Sequence, residues 1–351
     1  MSESAVPAHL HLQEVVTCGS DARRGNWLGI QPWMVPADYA SAGAFYAKID
    51  GYLAVASRQG WLNERTIVVL PEYVGTWLVV AGERPRVRQA VTIASAMQAL
   101  VLSHPLSFLK TLPSARARDA VKYGLFRMQA GRMAEIYQHV FSGLASKYAV
   151  TMVAGSIVLP SPAVKRGRLA IGDGALYNVS LVYGANGLAY ENAVRKAFPI
   201  AAELPFTTPG SVADLPVFDT PAGRLGVLIC ADSWYPQPYE AIRAQGADLV
   251  AVPSYLAPDG VWEARWRGYD GGVAPGDVDV RDVSQIAEGQ AWLKYGLAGR
   301  LPGLGIPHGI NVFLRGALWD LGSDGHTVVV RGQTVTEAKH VSGAAIVNFW
   351  L

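Results

Sequence analysis

Residues 224–236 read RLGVLICADSWYP, and the character of the chain changes in the middle of them. Up to Ile229 the run is apolar and suits a buried strand. After Cys230 come Ala231, Asp232 and Ser233, which suit a turn, and then Pro236, which suits the first turn of a helix. A buried cysteine usually sits inside an apolar run and packs as a small hydrophobe. Cys230 stands where the chain leaves the sheet, so it reads as a presented thiol. The helical stretch PQPYEAIRAQG (236–246) has Pro near its start and Gly at its end, and the strand ADLVAVPSY (247–255) follows.

The same alternation runs upstream. WLGIQPWMV (27–35) reads as a strand and TIVVLPE (66–72) as another. Between them a helix from about Tyr39 to Gln59 carries Phe45, Ile49, Tyr52, Leu53 and Ala56 at spacings of three and four, one apolar face for a sheet. YAVTMVAGSIVLP (148–160) reads as one strand, and LYNVSLVYGANGL (176–188) as a hairpin arm ending in an Ala-Asn-Gly turn. No repeat or low-complexity linker divides the chain, so residues 1–351 read as a single α/β domain, with a long Gly- and Pro-rich loop over 258–276.

Composition narrows the classes. Half of the 351 residues are hydrophobic, enough for a sizeable core, and a net charge of +2 points to no nucleic-acid partner. Cys18 and Cys230 are the only cysteines, which excludes a disulfide framework and any zinc site built from several cysteines. With a start (MSESAVPAHLHLQEVV) unlike a signal peptide, the expected location is cytoplasmic.

Residues 83–135 break the α/β rhythm and read as a helical insertion. They hold nine cations (Arg84, Arg86, Arg88, Lys110, Arg116, Arg118, Lys122, Arg127, Arg132) against three anions (Glu83, Asp119, Glu135). Residues 89–109 carry no formal charge with His104 neutral, and Gln89, Thr92, Ser95, Ser103 and Ser107 form a narrow polar stripe, so a helix with a wide apolar face is expected. Packing on the core or in a subunit interface, a lid over the active site, and contact with a membrane surface through 89–109 are the roles open to it. A spanning helix is disfavoured, because Pro105 and several polar groups interrupt the run.

Three ionisable groups stand at or near the ends of apolar runs: Glu72 in TIVVLPEYVGTW, Lys196 in AYENAVRKAFPI and Cys230 in RLGVLICADSWYP. Each alone has an ordinary explanation: a turn cap, a solvated lysine, an inert core thiol. Together they are the parts of a covalent acyl-transfer site. A thiol needs a base or a nearby cation to become a thiolate. Glu72 can take its proton and later activate water if burial raises its pKa, and Lys196 can stabilise the thiolate and then an oxyanion. The positive end of the helix beginning near Pro236 is expected to favour the thiolate as well. The amide of Ala231 is a natural second oxyanion donor, and Asp232 is expected to hold the turn by bonds to backbone. Trp234, Tyr235 and Tyr255 are candidates for the pocket lining.

These motifs resemble the nitrilase superfamily, the carbon-nitrogen hydrolases, whose Glu-Lys-Cys triad arrives in this chain order. VVLPEY is similar to the family's glutamate motif, VRKAF to its lysine motif after a YN-containing strand, and GVLICADSWYP to its nucleophile motif. The resemblance runs from about Trp27 to Tyr255, interrupted by the insertion. It implies a four-layer αββα sandwich, a homodimer or higher homo-oligomer, a thioester on Cys230, no metal or other cofactor, and a supporting second glutamate, for which Glu203 is the candidate. The Trp262, Trp266, Tyr269 and Asp270 loop lies where relatives shape substrate choice.

The expected activity is hydrolysis of a small-molecule amide. Nitrile hydrolysis uses the same attack, but Ala231-Asp232 after the cysteine, where nitrilases carry Trp-Glu, favours amides. Acyl transfer to an amine with a membrane-held or lipid partner is motivated only by the insertion. A non-catalytic scaffold has no need of glutamate, lysine and cysteine together.

Overall fold

The computed structural model describes residues 7–111 and 117–351; residues 1–6 and Arg116 of the basic segment lie outside them. Apolar alternation places two six-stranded sheets face to face. The first runs, edge to edge, Leu12–Cys18, Ala344–Trp350, Asn26–Gln31, Thr66–Val69, Thr151–Val153 and Val182–Tyr183. The second runs Val217–Thr220, Gly223–Val227, Leu249–Ser254, His308–Phe313, Val328–Arg331 and Thr334–Glu337.

In the first sheet Asn26–Gln31 is parallel to Thr66–Val69, pairing Trp27 with Ile67 and Leu28 with Val68. Period two then sorts the side chains. Trp27, Ile67, Val69, Val153, Val347 and Phe349 pack toward the second sheet, while Leu28, Ile30, Val68, Met152 and Ile346 belong to a separate core under the helices. Gly29 faces the second sheet: a Cβ there would lie 2.9 Å from Ile310 Cδ1 and 3.2 Å from Val312 Cγ2.

The helix Ala42–Arg58 buries Phe45, Ile49, Tyr52, Leu53 and Ala56 on the first sheet, beside the long helix Ala120–Tyr148. On the outer face of the second sheet Ile242 of Pro236–Ala244 sits over Gly226, and Leu297 and Leu301 sit over Gly309. The architecture is the expected four-layer αββα sandwich.

Three local expectations are corrected. Residues 148–160 form two strands in different sheets, Thr151–Val153 and Ile157–Pro160, because Gly155 turns the chain with φ +64°. Residues 89–109 form two helices, Ile93–Ser103 and Pro105–Leu109, because Pro105 starts a new helix after His104 leaves helical geometry. Position 135 is no boundary either, since Ala120–Tyr148 runs through it. Glu83, buried at the start of the segment, gathers it: its carboxylate accepts from Gln129 Nε2 at 2.9 Å, contacts His104 Nε2 at 2.9 Å and pairs with Arg132 at 3.6 Å. Ala96 and Leu100 are buried, whereas Val91, Leu102, Leu106 and Leu109 are exposed. No helix among the described residues is long and apolar enough to cross a membrane.

Candidate active site

The ends of three strands converge between the sheets and the loops above them. Glu72 follows Thr66–Val69 on a turn, Lys196 follows the short strand Val194–Arg195, and Cys230 follows Gly223–Val227. Tyr73 (φ +63°) and Cys230 (φ +51°) both have left-handed backbone, which costs a non-glycine residue of the order of 1 kcal/mol or more and persists only where the surroundings impose it.

The surroundings are specific in both cases. Beneath Glu72, Ser156 N donates to Pro71 O at 3.2 Å, Tyr73 N to Ser156 Oγ at 2.9 Å and Gly75 N to Ser156 O at 2.9 Å. At the cysteine, Asp232 accepts from Ile229 N at 3.1 Å on one oxygen, and from Ala197 N at 2.9 Å and Phe198 N at 2.8 Å on the other. Asp232 thus ties the cysteine turn to the lysine segment as well as closing its own turn; burial pushes its carboxyl up to about 7 against the pull of Lys196 and those amides. Ser233 Oγ donates to Cys230 O at 2.7 Å, and Tyr239 Oη to Ser233 O at 2.9 Å.

Gly155 carries the glutamate turn. A Cβ there would sit 2.2 Å from Pro71 O, on backbone already at positive φ. Gly155→Ala is therefore expected to destabilise the fold by at least about 2 kcal/mol and to lower turnover by displacing Glu72. Thermal denaturation and kcat measured together check this; a variant matching wild type in both would show that the turn does not depend on Gly155.

Lys196 is fully buried between two carboxylates. Its Nζ donates to Glu72 Oε1 at 2.8 Å and to Glu203 Oε2 at 2.6 Å. Asn178 Nδ2 spans the same pair, 2.9 Å from Glu72 Oε1 and 2.9 Å from Glu203 Oε1. Tyr73 Oη donates a short hydrogen bond to Glu203 Oε1, and Ile200 N donates to its Oε2 at 2.9 Å. The Cys230 thiol lies against the Glu72 carboxylate, with Tyr255 O 3.8 Å from Sγ.

This arrangement divides the charge unequally. Burial raises the pKa of Glu72, helped by the Glu203 charge and opposed by Lys196. Burial also works to raise Glu203, but Lys196, Tyr73 and the Ile200 amide outweigh it and hold Glu203 below the usual carboxylate range. Burial disfavours the Lys196 ammonium, yet the two carboxylates hold its pKa well above the ordinary value. Burial, and then the Glu72 charge, push the Cys230 thiol well up despite Lys196. Lys196 pulls toward the thiolate as expected and the helix does begin at Pro236, but a 3-10 turn, Cys230–Trp234, stands between that helix and the sulfur, and burial with the Glu72 charge outweighs the pull of Lys196.

These groups open onto a cavity of about 580 Å³. Ala231, Trp234, Tyr235 and Tyr255 lie on its wall, as do Trp266, Tyr269 and Asp270; Trp262 instead packs on Phe313 and His326. Ile93, Ala94 and Met97 bring one side of the inserted helix to the same cavity. Tyr73 and Asn178 escaped the sequence reading; for Asn178 the available signal was the Tyr177-Asn178 pair in the strand before the lysine. Among the described residues no group of three or more His, Cys, Asp or Glu is gathered to hold a metal ion.

The profile of the carbon-nitrogen hydrolase family matches residues 34–273. Among curated proteins, the chain is similar to a deaminated glutathione amidase of Yersinia enterocolitica, 50% identical over 53 residues, 15% of this chain and 18% of that protein. It is also similar to a bifunctional nitrilase/nitrile hydratase of Lupinus angustifolius, 32% identical over 124 residues, 35% of this chain and 31% of that protein. These matches thus span under a third of the relatives' lengths. Among solved structures, an amidase from Nesterenkonia sp. AN1, a double mutant in complex with acrylamide, shares the fold with TM-score 0.55 at 17% identity, over 94% of this chain and 92% of that one. The chain belongs to the carbon-nitrogen hydrolase family.

Proposed function

We propose that the protein hydrolyses the carbon-nitrogen bond of an amide through a thioester on Cys230. The observation that carries this reading is one buried ammonium, Lys196, held at 2.8 and 2.6 Å by two carboxylates, the first of which lies against the thiol. In the first half-reaction Sγ attacks the carbonyl carbon as its proton passes to Glu72. The oxyanion is met by Lys196 Nζ and by the N–H of Ala231, which has no hydrogen-bond acceptor among the described residues. Glu72 then returns the proton to the departing nitrogen, which leaves as ammonia or an amine, and the thioester remains. In the second, Glu72 takes a proton from water, hydroxide attacks the thioester carbon, and the thiol is restored with release of the acid. A raised pKa suits Glu72 to both transfers, while Glu203, held ionised, keeps Lys196 charged and in place.

The relatives include both an amidase and nitrilases, and the Ala231-Asp232 pair after the nucleophile supports an amide over a nitrile. The inserted helix places Ile93, Ala94 and Met97 on the cavity wall, which accounts for part of its apolar character without a lipid partner. A panel of primary amides and nitriles tests the reading by ammonia release combined with intact-protein mass spectrometry after acid quench. Ammonia together with an acyl-mass adduct on the Cys230 peptide is expected. Neither product across the panel would sink it.

A further inference from the structure

The cavity is walled from two separate cores. Trp77, Ile93, Met97, Phe126 and Phe206 belong to the core under the first sheet, and give an apolar side. Trp234, Trp266 and Trp292 belong to the core of the second and form one aromatic cluster: Trp234 stacks on Trp266 at 6.0 Å and meets Trp292 edge-on at 4.9 Å. This second wall is held rigidly. Trp266 N donates to Ile286 O at 2.9 Å, and the carbonyl of Trp234 accepts from Tyr269 Oη and from Arg300 Nη2, each at 2.9 Å.

Glu288 stands on the aromatic wall. It opens the helix Glu288–Tyr295, and four residues on, one turn along the same face, is Trp292. Three charged groups besides the reacting ones line the cavity: Lys122, Asp270 and Glu288. Lys122 is paired with Asp119 at 3.2 Å, and Asp270, exposed, accepts from Ala201 N at 3.3 Å. Glu288 is partly buried and has no cation beside it among the described residues. Burial pushes its carboxyl up to about 7, and its neighbour is the Trp292 indole N–H, which closes no well-formed hydrogen bond. Arg300, which reaches this wall at the Trp234 carbonyl, is spent on that carbonyl and on Asp277.

A carboxylate without a cation in largely apolar surroundings is costly, and aromatic surroundings attract cations when water is excluded. One ligand chemistry answers both: a positive group that ion-pairs with Glu288 at the edge of the tryptophan cluster, where Trp266 itself is stacked between Trp234 and Tyr295. We infer that the Trp234, Trp266, Trp292 and Glu288 end of the cavity is a subsite for a primary ammonium carried by the substrate, so that the substrates of Cys230 are amides with a cationic end. The inference rests on the amide-hydrolase reading for its chemistry, and on the second wall alone for its specificity.

The test compares a homologous series of ω-amino amides with alkyl amides of matching length. The wild-type protein is expected to prefer the ω-amino amide of one chain length by at least about tenfold in kcat/KM, and Glu288→Gln is expected to erase that ratio. Trp266→Phe, which keeps the carboxylate, is expected to lower the ratio less. A wild-type ratio near unity at every length, or an unchanged ratio in Glu288→Gln, overturns the inference. If no amide is turned over, the hydrolase reading is what has failed. The subsite is then judged on Cys230→Ala protein by quenching of tryptophan fluorescence, where ω-amino amides should bind at least about tenfold tighter than alkyl amides, and equal binding overturns it.

Discussion

Cys230→Ala is expected to bring ammonia release from any amide substrate to the detection limit, a loss of about 10⁶-fold in kcat where the assay reaches so far. The size follows from what remains. Among the described residues near the thiol, Ser233 Oγ is committed to the Cys230 carbonyl and Tyr73 Oη to Glu203, so neither is free to attack in its place. Lys196 and the Ala231 amide would still polarise a bound carbonyl, and Glu72 would still hold a proton acceptor beside it. What is lost is the covalent step, leaving only unassisted attack by water in a preorganised site. The substitution removes one buried sulfur at a position whose positive φ strains alanine as it strains cysteine, so the fold should survive. Thermal denaturation alongside the assay separates lost chemistry from lost structure. A folded Cys230→Ala protein retaining more than about a tenth of wild-type turnover would refute the thioester route.

The residues proposed to react were legible because each breaks a local pattern. An apolar run ending in a cysteine, a glutamate after Pro71, and a lysine directly before the apolar Ala197-Phe198 are choices that packing alone does not make. Tyr73 and Asn178 interrupt nothing. A tyrosine beside a turn and an asparagine in a strand are ordinary residues, and only the folded chain shows Asn178 lying 2.9 Å from both glutamates. Glu288 is hidden for a related reason. It opens a short amphipathic helix, where an acidic residue is explained by the helix terminus itself, and its burial beside Trp292 appears only in the folded chain.

The layers were legible from periodicity, but the places where the chain changes layer were not. Residues 148–160 form a continuous apolar run, and nothing in hydrophobicity marks that Gly155 sends its two halves into different sheets. That crossing is what brings Ser156 under the glutamate turn. The insertion failed in the opposite direction: its wide apolar face is divided among three surroundings, the core for Ala96 and Leu100, the cavity for Ile93 and Met97, and solvent for Leu102 and Leu106. Hydrophobicity reports that a face is apolar and not what it meets.

Lys196→Met is expected to be the most destabilising single substitution in the site, by about 3–5 kcal/mol, because it strands two buried carboxylates that the ammonium holds together. Methionine fills much the same volume, so the cost is electrostatic and not a cavity. With the cation gone, both glutamates lose the interaction that opposes their burial, so Glu72 is raised further and Glu203 is released upward from its lowered value. The site can then take up a proton, most readily on Glu72, which is already raised. The sign of the pH response follows. Carboxyls whose folded pKa lies above the unfolded value favour the folded state at low pH and oppose it as pH rises through the folded value. The stability deficit of Lys196→Met should therefore grow from acid toward neutral pH. Urea denaturation of both proteins at a series of pH values reads this directly, and a deficit independent of pH would mean that Lys196 contributes packing and not charge. A double variant, Lys196→Met with Glu203→Gln, should recover part of the loss by removing one stranded charge while leaving turnover absent, since no ammonium remains to meet the oxyanion.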